Sequence, residues 1–459
     1  MIKRSLGQIA NMIGGKLSDD IYKDLIIEGV STDSRTISKN NLYIPLVGEV
    51  FDGRIFIKEC EDKGAAAFII NEDYEIKKNI NIPYIKVTNT EDALRDLAKA
   101  YRKELDIKII GITGSNGKTT TKDLLTSVLS EKYKVQKTLG NLNNQIGVPK
   151  TILNLNEDTE IGVIELGTDN FGDISLTTSI AQPNIAVILN IGDSHLHNLK
   201  TREGIAKAKM EIAEGLSKDG IFIYNIDDPV LKKIVPTYDL EQNVMTFGQD
   251  QNADYIIKRL ETNTNGVQFK HEDEVYTIPL LGDHQIYNGG FSAMVGELLN
   301  LNENQIKNGL KKVSASSNRS TILELDGFDI LDDSYKSNPQ ALLTGLNTCY
   351  MLGGYTNKIV VLGDMLELGD DEDKLHYNIG KNIDPSQIHY CLFYGPLSKY
   401  MYQGALKNFP KSRIFHFDSK ADACDKLKQL ICKSTLVFVK GSHGMHMEEI
   451  IECVRKLKL

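Results

Sequence analysis

The stretch Gly111-Ile-Thr-Gly-Ser-Asn-Gly-Lys-Thr-Thr120 has the residue types and spacing that hold a nucleotide's phosphates. A strand-like apolar run, Ile107–Ile112, precedes it, and a helical pattern from about Lys118 to Glu131 follows. In that setting the backbone N–H groups of Gly114, Ser115, Asn116, Gly117 and Thr120, with the helix N-terminus, cradle phosphates. Lys118 reaches the β- and γ-phosphates, and the Thr119 hydroxyl ligates Mg²⁺. The strict G-x-x-x-x-G-K-[ST] spacing is not met: Ile112 stands where the first glycine belongs, and Gly114 supplies the flexibility instead.

Three more residues could do chemistry beside such a loop. Glu165 closes the strand pattern Ile161–Leu166. A carboxylate at the C-terminal edge of a parallel strand points towards the ligand crevice and could hold a metal that bridges phosphates. Without the phosphate loop it would read as a solvated edge residue. His195 follows the strand pattern Ile185–Asn190; taken alone it reads as a satisfied imidazole. Lys209 sits in a helical stretch, Arg202–Leu216, where Ile205, Ile212 and Leu216 share its face. An amine on an apolar face loses hydration, which disfavours its charged form. A neutral amine can add CO₂ and become a carbamate, turning a cation into a carboxylate ligand. The plainer alternative is a stem that packs while its head snorkels to water.

These groups need scaffolds. A chain of 459 residues suggests about three domains, at roughly 150 residues each. Residues 1–105 carry short apolar runs (Asn41–Val47, Ala65–Ile70, Pro83–Val87) and close with a helix, Thr90–Leu105, with Thr90 as its N-cap. Residues 106–313 alternate strands and helices, including Gly220–Tyr224, then a polar strand-and-turn region, Asp254–Leu280, and a helix, His284–Asn300. Residues 314–459 repeat the alternation with strands Lys358–Leu362, Ile388–Tyr394 and Thr435–Val439 and a last helix, Met445–Leu457. The expected class is α/β in three domains: a small N-terminal α/β domain, a central parallel-sheet P-loop ATPase domain, and a C-terminal Rossmann-like domain.

Composition excludes other classes. A net charge of -9 argues against a phosphate-tracking nucleic-acid binder, while leaving room for a local site for a small anion. Cys60, Cys349, Cys391, Cys424, Cys432 and Cys453 form no C-x-x-C pair, so neither a zinc site nor a dense disulfide framework is indicated. Reduced thiols in cytoplasm are expected. No apolar run reaches the ~18 residues needed to span a bilayer, and no leader pattern opens the chain, so no membrane insertion is expected.

Along nearly its whole length the chain resembles the Mur ligases, most closely the branch that joins D-alanyl-D-alanine to a UDP-N-acetylmuramoyl tripeptide. Gly111–Thr121 is similar to the family's phosphate loop, early first glycine included. Ser31-Thr-Asp-Ser-Arg-Thr36 looks like the loop that contacts the UDP-sugar, which implies Ser34 and Arg35 as substrate contacts. Gly140-Asn-Leu-Asn-Asn-Gln-Ile-Gly-Val-Pro149 resembles a signature near the substrate and implies Asn141, Asn143 and Asn144. Asn190-Ile-Gly-Asp-Ser-His195 and Gly204-Ile-Ala-Lys-Ala-Lys-Met-Glu-Ile212 look like the magnesium histidine and the carbamylated-lysine helix. Val361-Leu-Gly-Asp-Met-Leu-Glu-Leu-Gly369 is typical of the D-alanyl-D-alanine branch.

The resemblance implies ATP and two Mg²⁺ ions, one on Thr119 and Glu165, the other on His195 and carbamylated Lys209. It implies ATP contacts from Asn288, Arg319, Asp333 and Asn338. A monomer working in the cytoplasm is expected. Several motifs differ from the usual pattern. The expected Tyr-Asn-Ala-Asn-Pro reads Tyr335-Lys336-Ser337-Asn338-Pro339, and the expected Lys-Gly-Ser-Arg-Gly reads Lys440-Gly441-Ser442-His443-Gly444. Near the adenine the chain has His284-Gln285-Ile-Tyr-Asn288, and the usual Arg-Met-Glu reads Arg319-Ser320-Thr321. Two rival readings stay open on these differences: a related ligase for another amine, and a nucleotide-binding protein without ligase activity. A folylpolyglutamate synthase would share the central fold, but the Ser31–Thr36 and Val361–Gly369 segments tell against it.

Overall fold

Ile109, Ile110, Val163, Ile164 and Ala186–Ile188 leave their strands almost free of polar side chains, as suits strands covered on both faces. In the computed structural model, which describes residues 1–48, 51–263, 265–313 and 320–459, they form the middle of a seven-stranded sheet. Its order is Tyr255–Ile256, Asn243–Gly248, Ile221–Asn225, Ile185–Ile188, Lys108–Thr113, Ile161–Glu165 and Val135–Lys137. Every neighbouring pair is parallel. Glu165 pairs with Ile112 and Ile188 with Thr113, so three strand ends open side by side at the crevice where such sheets bind ligands. The helix Lys118–Leu129 starts there. Its N-cap, Gly117, has φ 83°, and a Cβ on it would lie 2.8 Å from Asn288 Oδ1, so only glycine fits.

A smaller five-stranded sheet precedes it, in the order Lys16–Leu17, Tyr84–Val87, Ala67–Asn71, Leu42–Tyr43 and Val30–Ser31. The helix Thr90–Glu104 follows, with Ala93, Leu94, Leu97, Ala98 and Tyr101 buried as its periodicity requires. Its N-cap is Asn89 rather than Thr90: Asn89 Oδ1 accepts from Glu91 N at 2.8 Å and Asp92 N at 3.1 Å. Adjacent Asn and Thr are both good caps, and the chain uses the earlier one. This helix packs on the helices Gly147–Leu153 and Asp173–Ala181 of the central unit, and one apolar cluster runs through both units. Tyr101 Oη donates to Leu155 O at 2.9 Å, and Arg102 Nε donates to Ala181 O at 2.9 Å across the same seam.

The polar stretch after the central sheet becomes a three-stranded antiparallel sheet, Lys258–Asn263, Gly266–His271 and Glu274–Ile278. Helix Gln285–Leu298 then packs Phe291, Met294 and Val295 into the central core. The last unit holds a six-stranded sheet in the order Thr321–Glu324, Phe328–Asp333, Thr435–Lys440, Asn357–Gly363, Tyr390–Tyr394 and Ile414–Phe417. Only its edge strand Thr321–Glu324 runs antiparallel; apolar clusters cover both faces, as in a doubly wound fold.

One expectation is corrected. Cys424 and Cys453 are joined as a disulfide between helices Lys420–Leu430 and Glu448–Val454, with Cα atoms 6.4 Å apart. Their sequence separation of 29 carries no local spacing signal; the facing helices create the pairing. Cys60, Cys349, Cys391 and Cys432 are free thiols. Among the described residues no helix is long and apolar enough to cross a membrane.

Candidate active site

The phosphate loop is stapled to the neighbouring strand end. Ser115 N donates to Asn190 O at 3.0 Å and Asn116 N to Asn190 Oδ1 at 2.9 Å. Asn190 Nδ2 returns a bond to Asn116 O at 3.0 Å, and Gly192 N donates to Ser115 Oγ at 2.8 Å. The amides of Ser115 and Asn116 are therefore engaged. The amides of the first helical turn, through Thr120, are the ones that helix geometry leaves for an anion. Lys118 Nζ donates to Gly114 O at 2.6 Å. Sequence reasoning assigned no role to Asn190; its place beside the loop comes from the register of two parallel strands, which no local pattern shows.

Glu165 is 3 % exposed, not a solvated edge group. Its Oε2 accepts from Thr119 Oγ1 at 3.0 Å and its Oε1 from Asn143 Nδ2 at 2.9 Å, while Lys122 Nζ stands 3.9 Å away. Lys122, buried on the phosphate-loop helix, was also missed by the sequence reading. Asn141, Asn143 and Asn144 line the same cavity. Asn144 Oδ1 also accepts from Gly147 N at 2.9 Å, at the start of helix Gly147–Leu153.

His195 holds a left-handed backbone, φ 61°, just before the short helix Leu196–Leu199. Its Nδ1 lies 3.0 Å from Asp169 Oδ1 and 3.1 Å from Glu367 Oε2; its Nε2 lies 3.4 Å from Lys336 Nζ. By distance alone the carboxylates suggest an imidazolium. Both are more than 60 % exposed and screened by water, however, and burial of the ring prevails. Burial, with the charges of Lys336, Lys209 and Lys118, pushes His195 down to about 3. The imidazole is neutral. Its partners assign the proton to Nδ1, facing the carboxylates, and the lone pair to Nε2.

Lys209 is 2 % exposed, so its stem does not snorkel its amine to water. Burial holds its pKa well below the ordinary lysine value, and Lys118 and Lys336 push the same way. The helix that carries it is shorter than its periodicity suggests: Arg202–Met210 gives way to a tight turn, Glu211–Gly215, so Ile212 and Leu216 lie beyond it.

The C-terminal unit completes the site. Asn338 Nδ2 donates to Asn116 Oδ1 at 2.9 Å and to Ser194 Oγ at 3.0 Å, while its Oδ1 caps helix Pro339–Met351 through Ala341 N at 2.8 Å. Asp333 Oδ2 accepts from Lys440 Nζ at 2.5 Å. Asn288 Oδ1 accepts from Thr121 Oγ1 at 3.1 Å. A cavity of about 550 Å³ joins Ser115–Thr120, Glu165, His195, Asn288, Asp333 and Lys336. Arg319 lies outside the described residues. Ser34 and Arg35 do not line this cavity; they sit on the N-terminal unit, where Arg35 Nη2 bonds Asp33 Oδ2 at 2.7 Å and Ser34 O accepts from Lys63 Nζ at 2.9 Å.

The pattern of the Mur ligase middle domain matches residues 112–296, that of the Mur ligase glutamate ligase domain residues 318–443, and that of the Mur ligase family catalytic domain residues 26–102. The UDP-N-acetylmuramoyl-tripeptide–D-alanyl-D-alanine ligase of Bacillus subtilis is 39% identical over 455 residues, 98% of each chain. The chain belongs to the Mur ligase family. Among solved structures, a crystal structure of MurF from Acinetobacter baumannii superposes with TM-score 0.91 at 26% identity, covering 100% of both chains. MurF ligase from Thermotoga maritima in complex with ADP gives TM-score 0.80 at 28% identity, covering 94% of this chain and 97% of that one.

The family implies magnesium. Among the described residues no cluster of three or more His, Cys, Asp or Glu side chains could hold a metal by itself. A hydroxyl and a carboxylate 3.0 Å apart beside a phosphate loop nevertheless suit Mg²⁺, which takes few protein ligands and completes its shell with phosphate oxygens and water. The Nε2 lone pair of His195 likewise suits a cation.

The buried histidines of this Mur ligase also make it acid-sensitive. Burial lowers His195, His284 and His376 from the ordinary 6.5. His376 is satisfied as a neutral ring, Nε2 accepting from Met365 N at 2.9 Å and Nδ1 donating to Glu372 O at 2.7 Å. Below about pH 6.5 the unfolded chain binds these protons and the folded one does not, so stability falls as pH drops from 6.5 towards 3. We expect Tm to decline between pH 7 and pH 5. A flat or rising Tm across that window would contradict the assignment.

Proposed function

We propose that this Mur ligase uses ATP to join the C-terminal carboxylate of a UDP-N-acetylmuramoyl tripeptide to the amine of D-alanyl-D-alanine, through an acyl phosphate, in peptidoglycan precursor synthesis. The observation that carries the ligase reading is the convergence of Lys118, Glu165 and His195 with Lys336 and Asp333 of the C-terminal unit on one cavity. The names of the relatives carry the choice of substrates.

A free carboxylate does not acylate an amine at a useful rate, so it must first be activated. The peptide carboxylate attacks the γ-phosphorus in line, the bond to ADP breaks, and the acyl phosphate forms. The amine then attacks the acyl carbon, gives up a proton, and inorganic phosphate leaves. Lys118 and the first-turn amides, Thr120 among them, hold the phosphate oxygens and spread their charge. Thr119 with Glu165 would hold one Mg²⁺, and His195 with carbamylated Lys209 a second; bound there, the ions would neutralise phosphate charge. Asn338, by bonding Asn116 and Ser194, keeps the C-terminal unit over the loop and excludes water that would hydrolyse the acyl phosphate.

Residues 1–105 serve the UDP end through Ser34 and Arg35, residues 106–313 carry out phosphoryl transfer, and residues 314–459 bring the amine. Asn141, Asn143 and Asn144 face the peptide end; Asn288, Asp333 and Asn338, with Arg319, serve ATP. One chain supplies all these groups, so the working unit is a monomer, placed in the cytoplasm by its need for ATP and a UDP-linked precursor.

Phosphate release from ATP and UDP-muramoyl tripeptide, measured against a panel of amines, tests the reading. Release is expected with D-alanyl-D-alanine. Release with only another amine would identify a related ligase of different selectivity. None with any amine, alongside normal ADP binding, would defeat the ligase reading.

A further inference from the structure

Lys336 stands where the resemblance leads one to expect an asparagine, and the fold gives it a defined seat. Its own carbonyl accepts from the buried Lys440 Nζ at 2.8 Å, and Lys440 in turn bonds Asp333 Oδ2 at 2.5 Å. Two residues further on, Asn338 fixes the same segment to Asn116 and Ser194. The backbone around Lys336 is thus pinned from both sides. Its ammonium reaches across to the central unit, 3.4 Å from His195 Nε2, and lines the cavity that holds Lys118, Thr119 and Glu165.

We propose that Lys336 is a catalytic residue: its ammonium, presented by the C-terminal unit, contacts the phosphoryl group during transfer. The chemistry calls for such a charge. In transfer, negative charge spreads over the equatorial oxygens of the phosphoryl group, and a cation inserted from a second structural unit stabilises that distribution. An asparagine there would offer two neutral N–H donors on one amide, whereas lysine offers three donors and a full positive charge on a flexible stem. Because Lys336 and the Asn338 contact to the phosphate loop share one pinned segment, the charge is in place only while the C-terminal unit is seated. Phosphoryl transfer is thereby tied to closure. The acyl phosphate would otherwise form in an open cleft and be lost to water.

This inference rests on the ligase reading, and one assay separates the two. Wild type, Lys336→Ala, Lys336→Asn and Lys336→Arg are compared for turnover with tripeptide and D-alanyl-D-alanine, for ADP affinity, and for affinity towards ADP with aluminium fluoride. We expect Lys336→Ala to lose about 10²-fold in kcat with a much smaller change in the KM for ATP. ADP affinity stays within about threefold, the gain in affinity on adding aluminium fluoride disappears, and Lys336→Arg retains more activity than Lys336→Ala. If Lys336→Ala does not fold, Lys336→Asn, which installs the usual residue, carries the same expectation. Near-wild-type kcat in the folded neutral variants, or equal losses of ADP and aluminium-fluoride binding, would overturn the proposal for Lys336 alone. An inactive wild type would instead count against the ligase reading.

Discussion

Lys209→Ala is expected to lower kcat by about 10³-fold, with added short carboxylic acids restoring part of the loss. Lys209 is buried, and Lys118 and Lys336 act on it with like charge. Kept as an ammonium it would add repulsion at a crowded point. As a neutral amine it can attack CO₂: a nitrogen–carbon bond forms as a carbon–oxygen π bond opens, a proton leaves to water, and a neutral group becomes an anion. In the proposed carbamate, repulsion among these groups would become attraction, and the site would gain an oxygen ligand beside His195. Alanine removes the anchor for that charge, which a small carboxylate diffusing into the space partly replaces. Labelled bicarbonate offers a second readout: a carbamate carbon resonance present in wild type and lost in the variant. Wild-type turnover in Lys209→Ala would remove Lys209 from the mechanism.

Glu165→Gln carries the second large effect, a fall in kcat of about 10²- to 10³-fold with a marked rise in the Mg²⁺ concentration needed for half-maximal rate. The substitution keeps the shape and removes the charge. Both hydrogen-bond partners of the carboxylate are donors, Thr119 Oγ1 at 3.0 Å and Asn143 Nδ2 at 2.9 Å, with the Lys122 ammonium 3.9 Å away. A glutamine accepts from one of them and turns its own N–H₂ towards the other. The Thr119 hydroxyl can adapt by rotating; the lost negative charge cannot be recovered. ADP binding without magnesium should change little. An unchanged magnesium dependence would argue that Glu165 only orients Thr119 and Asn143.

What could be read from the chain before folding follows physical locality. The phosphate loop was legible because strand, glycines, lysine and helix lie within a single short stretch. Lys209 stood out because an amine on an apolar helix face is unusual, although the helix ends at Met210 and leaves Ile212 and Leu216 outside it. Asn190 as the staple of the loop was not legible, since it depends on the register of two parallel strands. The contact of Lys336 with His195 joins residues 141 positions apart, and the Cys424–Cys453 bridge depends on how two late helices face each other. At Asn89 and Thr90 two good capping residues competed, and pattern alone does not choose between neighbours.

The apolar cluster shared by the first two units bears on which part of the enzyme can move. Prising residues of the helix Thr90–Glu104 away from Gly147–Leu153 would wet side chains such as Leu94, Leu97 and Ile152, each worth roughly 1.5–3 kcal/mol when fully buried. Lifting the C-terminal unit would break the polar contacts of Asn338, Lys336 and Glu367, for which water is a ready substitute, and uncover the partly buried Leu281. The enzyme is thus built as an anvil and a hammer: the loop that holds the nucleotide and the unit proposed to anchor the long substrate stay fused, and the striking face is the cheaper one to withdraw.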